Sequence, residues 1–172
     1  MKKFIYSFFA LTLLTLSACE GPIGPPGPPG FDGTDGLDGG IIASSAFEIV
    51  IDFNEANNYE FVEPYGFEVF PSDVTLVYIS WEVDNGQDVW RLLPQNVFFD
   101  DNSVLTYNYD FTQNDVRFFL DGTTNLNTLG PEWTDEQVFR VVVVPADNID
   151  GLDITNFNLV TESLDIDNFQ IK

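Results

Sequence analysis

Val74-Thr75-Leu76-Val77-Tyr78-Ile79-Ser80-Trp81-Glu82-Val83 runs into Asp84-Asn85-Gly86-Gln87 and then into Asp88-Val89-Trp90-Arg91-Leu92-Leu93. The first run is apolar at successive positions, so an extended chain here is covered on both faces, as in a central strand. Asn-Gly accepts the positive φ angles of a type I′ turn, which predicts a tight hairpin with residues 89–93 as the return strand. A hairpin arm that is apolar on both faces needs partners on each side. The flanking sequence must therefore supply more strands.

It does so in both directions. Val104, Thr106, Asn108 and Asp110 oppose Leu105, Tyr107, Tyr109 and Phe111, a period of two over 104–111. Residues 138–144 are strongly β-branched, with five valines, predict a second central strand and stop at Pro145. Phe47, Ile49, Ile51 and Phe53 alternate with Glu48, Val50, Asp52 and Asn54 as in a half-buried strand. Phe67, Val69 and Pro71 suggest another short segment. Residues 97–99, before the turn Asp100-Asp101-Asn102, suggest one more, as do 116–120, which end at Asp121-Gly122. Residues 123–136 read as a loop. One short helix is expected near the end, capped by Thr155, with Phe157, Val160 and Leu164 three and four apart, and Ile171 falls in a last short strand. Strands every 8 to 12 residues with turns between them predict an all-β domain, a mostly antiparallel sandwich or jelly-roll, over 42–172.

Composition narrows the chemistry. The chain of 172 residues carries 28 acids against 6 bases, a formal net charge of −22, and has no histidine. Such a surface repels phosphate backbones, so nucleic acid is not an expected partner. The lack of histidine removes Ser-His-Asp and Cys-His catalysis, imidazole metal sites and the usual neutral-pH proton shuttle. There is a single cysteine, Cys19, so no disulfide forms within the chain.

The first 41 residues are of a different kind. Lys2 and Lys3 precede an apolar run over 4–16, too short for a bilayer that needs about 20 residues, and this reads as a secretory leader over 1–18. It ends in Leu16-Ser17-Ala18-Cys19. Glycine then falls at Gly21, Gly24, Gly27, Gly30, Gly33, Gly36 and Gly39. With glycine at about 7% of residues, seven in phase arise by chance about once in 10⁸. Glycine at every third position is what the crowded axis of three wound chains requires, and the prolines of the first triplets pre-set the extended left-handed backbone. Two forms of this segment stay open. One is a three-chain helix, in which Asp32, Asp35 and Asp38 would stack like charges that a divalent cation could relieve. The other is a single-chain spacer of about 65 Å.

Leu16-Ser17-Ala18-Cys19 resembles the lipobox of bacterial lipoproteins, and together with the glycine repeat it makes the chain similar to bacterial collagen-like lipoproteins. Trp90-Arg91-Leu92-Leu93-Pro94-Gln95 also looks like the uncharacterised C-terminal domain of such proteins in Bacteroidetes-type bacteria. The resemblance implies that the leader is cleaved before Cys19 and that the thiol is diacylated. The new amine is usually acylated too, and two or three acyl chains anchor stably where one is marginal. Glu20 rather than aspartate follows the cysteine, which in that family favours the outer membrane of the cell envelope. The expected organisation is a leader (1–18), a lipidated N-terminus with a collagen-like stalk (19–41) and a β domain (42–172).

Few residues point to chemistry. Asp147, Asp150-Gly151 and Asp153 form an acidic loop of the kind calcium prefers, although Ala146 and Asn148 break the alternating order of an EF-hand. The plainer reading is a solvated turn leading to the helix. Calcium is the one ion these residues suggest, and no organic cofactor is expected. Trp81, Trp90, Trp133, Tyr107 and Tyr109 suggest an aromatic face for sugar rings, with Trp133, in the polar stretch Gly130-Pro131-Glu132-Trp133-Thr134, as the best exposed candidate. Core packing is the competing account. There is no dinucleotide fingerprint, P-loop or nucleophile elbow. The chain is therefore expected not to be an enzyme but a membrane-tethered structural or adhesive module, with homotrimers through the stalk in one of its two forms. A glycan- or calcium-binding domain on a spacer is the alternative, and a carboxylate-based hydrolase the third reading.

Overall fold

The computed structural model describes residues 46–172. The expected leader, Cys19, the glycine repeat and residues 42–45 lie outside the described residues. The strands are β1 (Ala46–Ile51), β2 (Glu60–Pro64), β3 (Val74–Asp84), β4 (Gln87–Leu92), β5 (Gln95–Phe98), β6 (Val104–Phe111), β7 (Asp115–Gly122), β8 (Gln137–Val144) and β9 (Gln170–Ile171). Two short helices, α1 (Pro131–Thr134) and α2 (Phe157–Ser163), interrupt the later connections.

The strands form two sheets, ordered β4-β3-β8-β1-β9 and β2-β7-β6-β5. All pairings are antiparallel except β1 with β9. The sheets meet face to face. Phe47, Ile49, Val77, Ile79, Phe139 and Val141 of the first share one buried core with Leu105, Tyr107, Val116 and Phe118 of the second. Phe118 and Phe139 make the central contact, with ring centroids 5.0 Å apart.

A further layer explains why β3 and β8 are apolar on both faces. Leu76, Tyr78, Val142 and Val144 point away from the second sheet and are covered by Phe157, Val160 and Leu164. The three-and-four spacing of those last residues is the buried stripe of α2. Arg140 fastens this layer. Its Nε donates to Glu48 at 2.8 Å, and its guanidinium lies 4.2 Å from the Trp90 ring, 4.6 Å from Phe169 and 5.3 Å from Phe157.

The hairpin forms as the sequence predicts, with Asn85 and Gly86 at φ 49 and 80 and Asp84 opposite Gln87. Other expectations need correction. Phe67, Val69 and Pro71 form no strand. Tyr65 and Val69 are buried and Phe67 packs on the core, but their alternation belongs to a loop that turns at Gly66 with φ 77. The strand of this region is β2, an edge strand whose Phe61 and Val62 are exposed, so it carries no clean alternation. Residues 123–136 are not simple loop, since they hold a 3-10 turn at Leu126–Thr128 and then α1. The cap of α2 is Asn156, whose side chain accepts from Leu159 N. Thr155 instead serves Asp153.

Strand direction gives the domain two unlike ends. The chain enters at Ala46, opposite Val142, and β3 begins there opposite Val144. The other end gathers the 84–87 hairpin, the turn at 99–103, the β1–β2 connection and the long connection from β7 to β8. Among the described residues no helix is long and apolar enough to cross a membrane.

Candidate ligand groove

The end opposite the chain entry carries a groove built from a break in strand pairing. Ser80 pairs with Trp90, but the next pair is Glu82 with Val89, so Trp81 has no partner on β4. Such a bulge adds one residue to a strand and leaves it unpaired, while Trp81 keeps the face of Val77 and Ile79. Trp81 turns toward the second sheet and meets Tyr107 edge-on, centroids 6.3 Å apart. The Arg91 guanidinium lies 4.7 Å from the Trp81 ring and pairs with Glu82 at 3.2 Å.

The opposite wall is α1. Pro131 sits in the first turn behind Gly130, a position where its missing N–H costs nothing. Thr134 is buried, and its carbonyl accepts from Phe53 N at 2.8 Å, which ties the turn to the end of β1. Trp133 meets Phe99 edge-on at 5.6 Å, and its carbonyl accepts from the Tyr107 hydroxyl at 2.7 Å. Glu132 folds back over Gly130, where a Cβ would overlap its carboxylate. Burial first, and the Glu132 charge second, push the Tyr107 phenol above its ordinary value of 10.0, so it stays a donor.

Ile79, Ser80, Trp81, Tyr107, Trp133 and Gln137, with Glu132, enclose a cleft of about 150 Å³. A shallower depression carrying Phe99, Asp100, Asp101, Ser103 and Thr128 adjoins it across Glu132 and Trp133. No lysine or arginine lines either one. Carboxylates, hydroxyls and two half-buried indoles thus converge here, Trp81 and Tyr107 from strands and Glu132 and Trp133 from α1, an arrangement able to cover a small polar ring.

Only part of the predicted aromatic face assembles. Trp81, Trp133 and Tyr107 come together, though Tyr107 is 2% exposed and contributes little more than its hydroxyl. Trp133 is half-buried rather than free in solvent. Trp90 lies on the far face of its sheet against Phe157, 5.4 Å away. Tyr109 faces the entry end, where its hydroxyl donates to Thr75 O at 3.0 Å. Glu132, Phe99 and Ser80 were not singled out by sequence. The one signal near them is Gly130-Pro131, which starts α1.

The acidic loop is disposed differently. Asp147 lies in a 3-10 turn, Asp150 precedes Gly151 at φ 82, and the Asp153 carboxylate accepts from Thr155 N at 3.1 Å and Thr155 Oγ1 at 2.6 Å. Those bonds hold the Asp153 carboxyl below its ordinary value. Among the described residues no group of three or more His, Cys, Asp or Glu side chains is arranged to hold a metal ion. No family model matches the chain, and neither the curated proteins nor the solved structures searched give a match to it.

Proposed function

We propose that the protein is a lipid-anchored envelope protein, tethered at Cys19 to a membrane of a bacterial cell envelope, the outer one in the reading favoured by Glu20. In this reading the glycine repeat is a collagen-like stalk and the β domain has an adhesive role. Support comes from the lipobox and from the seven in-phase glycines. The observation that carries it is the polarity of the domain: the chain enters at Ala46 at one end, and the aromatic-acidic groove lies at the other. A tether joined at the entry end leaves the groove end free to meet a partner.

The stalk acts as a projecting spacer whether one chain or three form it. Sedimentation of the full chain separates the two forms by mass. The adhesive role is tested with cells producing the full chain beside cells producing Cys19→Ala. Attachment to host or neighbouring surfaces is expected with the first and lost with the second, because the unlipidated chain is released. Equal attachment by both cell types counts against the reading. The groove favours a glycan partner as the second reading.

A further inference from the structure

We propose that the cleft between the β3 bulge and α1 binds a pyranose ring that carries an ammonium group, that is, an amino sugar within a glycan. This deepens the adhesive reading by naming the ligand class of the free end, and it rests on that reading only for its biological setting.

Four observations carry it. First, Trp81 and Trp133 converge on one cleft, and partly exposed indoles cover the apolar C–H faces of a sugar ring while its hydroxyls reach the polar rim. Second, the size is that of one ring. At about 150 Å³ the cleft lies below the roughly 300 Å³ at which drug-sized ligands begin to fit. Third, the site is made in advance. Trp81 packs edge-on against Tyr107, and the Tyr107 hydroxyl holds Trp133 through its carbonyl, so little ordering remains to oppose binding.

Fourth, the charge around the cleft selects among sugars. Glu132 borders both depressions, Asp100 and Asp101 lie beside it, no base lines either, and Arg91, stacked on the Trp81 ring, is paired with Glu82. Glu132 forms no ion pair among the described residues, unlike Glu48, Glu60, Glu63 and Glu82. An ammonium-bearing ring gains from these carboxylates, a neutral ring gains nothing from them, and a uronic acid is repelled.

The test is titration calorimetry on the detergent-solubilised full chain in about 0.15 M salt, where long-range attraction is screened. The probes are glucosamine tetramer, N-acetylglucosamine tetramer and tetragalacturonate. The glucosamine tetramer is expected to bind most tightly, the acetylated form several-fold more weakly, and the galacturonate not at all at the same concentration. Trp133→Ala should weaken glucosamine binding at least about ten-fold, as loss of a central aromatic contact does. Glu132→Gln, at an exposed position, should abolish the preference for the ammonium form while leaving the melting temperature in place. That second variant keeps the test sharp if Trp133→Ala disturbs the fold. Binding to none of the probes, tighter binding of galacturonate, or glucosamine binding untouched by both substitutions would overturn the proposal. The last outcome marks general attraction to a chain of net charge −22. Lipid-dependent adhesion that survives in Glu132→Gln and Trp133→Ala cells sinks this site alone and leaves the tethered adhesive reading standing.

Discussion

Replacing Arg140 by alanine should destabilise the domain by about 3 kcal/mol. The side chains of Arg140 and Glu48 are 24% and 22% exposed, so their 2.8 Å contact is only partly screened by water. A fully exposed pair contributes about 0–1 kcal/mol, and this one lies above that range. The guanidinium also faces the rings of Trp90, Phe157 and Phe169 at 4.2 to 5.3 Å. One such contact is worth about 0.5–1 kcal/mol at the surface and about 2 when desolvated, and three rings sharing one charge give less than three times that. Arg140→Ala further leaves Glu48 half-buried without its partner and removes the stem that packs the C-terminal layer. For a domain of this size about 3 kcal/mol corresponds to a fall of roughly 10 °C in melting temperature. Arg140→Lys, which keeps the charge but not the planar stack, should lose about half as much. Thermal and urea unfolding, followed by circular dichroism and tryptophan fluorescence, reads both. A change below about 0.5 kcal/mol for Arg140→Ala would refute the reasoning, since the clamp would then be worth no more than a surface ion pair.

Gly122 has φ 124, and a Cβ there would overlap the Val104 carbonyl oxygen, which accepts from Thr123 N and Thr124 N. Gly122→Ala should therefore cost at least about 2 kcal/mol in urea unfolding. Gly86→Ala, with positive φ but open space around it, should cost about 1. Asp101 and Asp153 are held below the ordinary carboxyl value of 3.8, chiefly by hydrogen bonds from Ser103 and Thr155. A carboxylate depressed on folding stabilises the fold above its unfolded value and stops doing so as pH falls through its lower folded value. Melting temperature should accordingly fall on acidification below about pH 4, and Asp153→Ala should flatten that limb. Tyr78, like Tyr107, is raised by burial. Stability should hold below pH 10 and be lost as pH rises beyond it, with phenolate absorbance of these two residues appearing only on unfolding.

Which features were legible in the sequence follows from what each residue faces. The runs in β3 and β8 announce burial on both sides because Val77 and Val141 face one core while Leu76 and Val142 face the other. The same runs do not say which element supplies the outer cover. Phe157, Val160 and Leu164 predict a helix by spacing alone, and its docking on the first sheet rests on long-range contacts such as Tyr78 OH to Ile154 O at 2.7 Å. β2 is hidden because an edge strand with exposed Phe61 and Val62 lacks a buried face to repeat. The groove was half legible. Trp81 and Trp133 stand out as residues, and Trp81 shares the inward parity of Val77 and Ile79, but the bulge that leaves it without a β4 partner and the docking of α1 across from it leave no mark in strand periodicity. Trp90, opposite Ser80 in unbroken register, takes the outer face with Tyr78, where it joins the Arg140 clamp rather than a sugar face.

The most direct test of the central claim is the mass of the N-terminal peptide of the full-length gene product, extracted from the membrane fraction of a bacterial host. The account predicts a chain that begins at Cys19, with the thiol carrying a diacylglyceryl group and the amine an acyl chain. An unmodified Cys19, or a chain recovered from the soluble fraction with its N-terminus elsewhere, would contradict it.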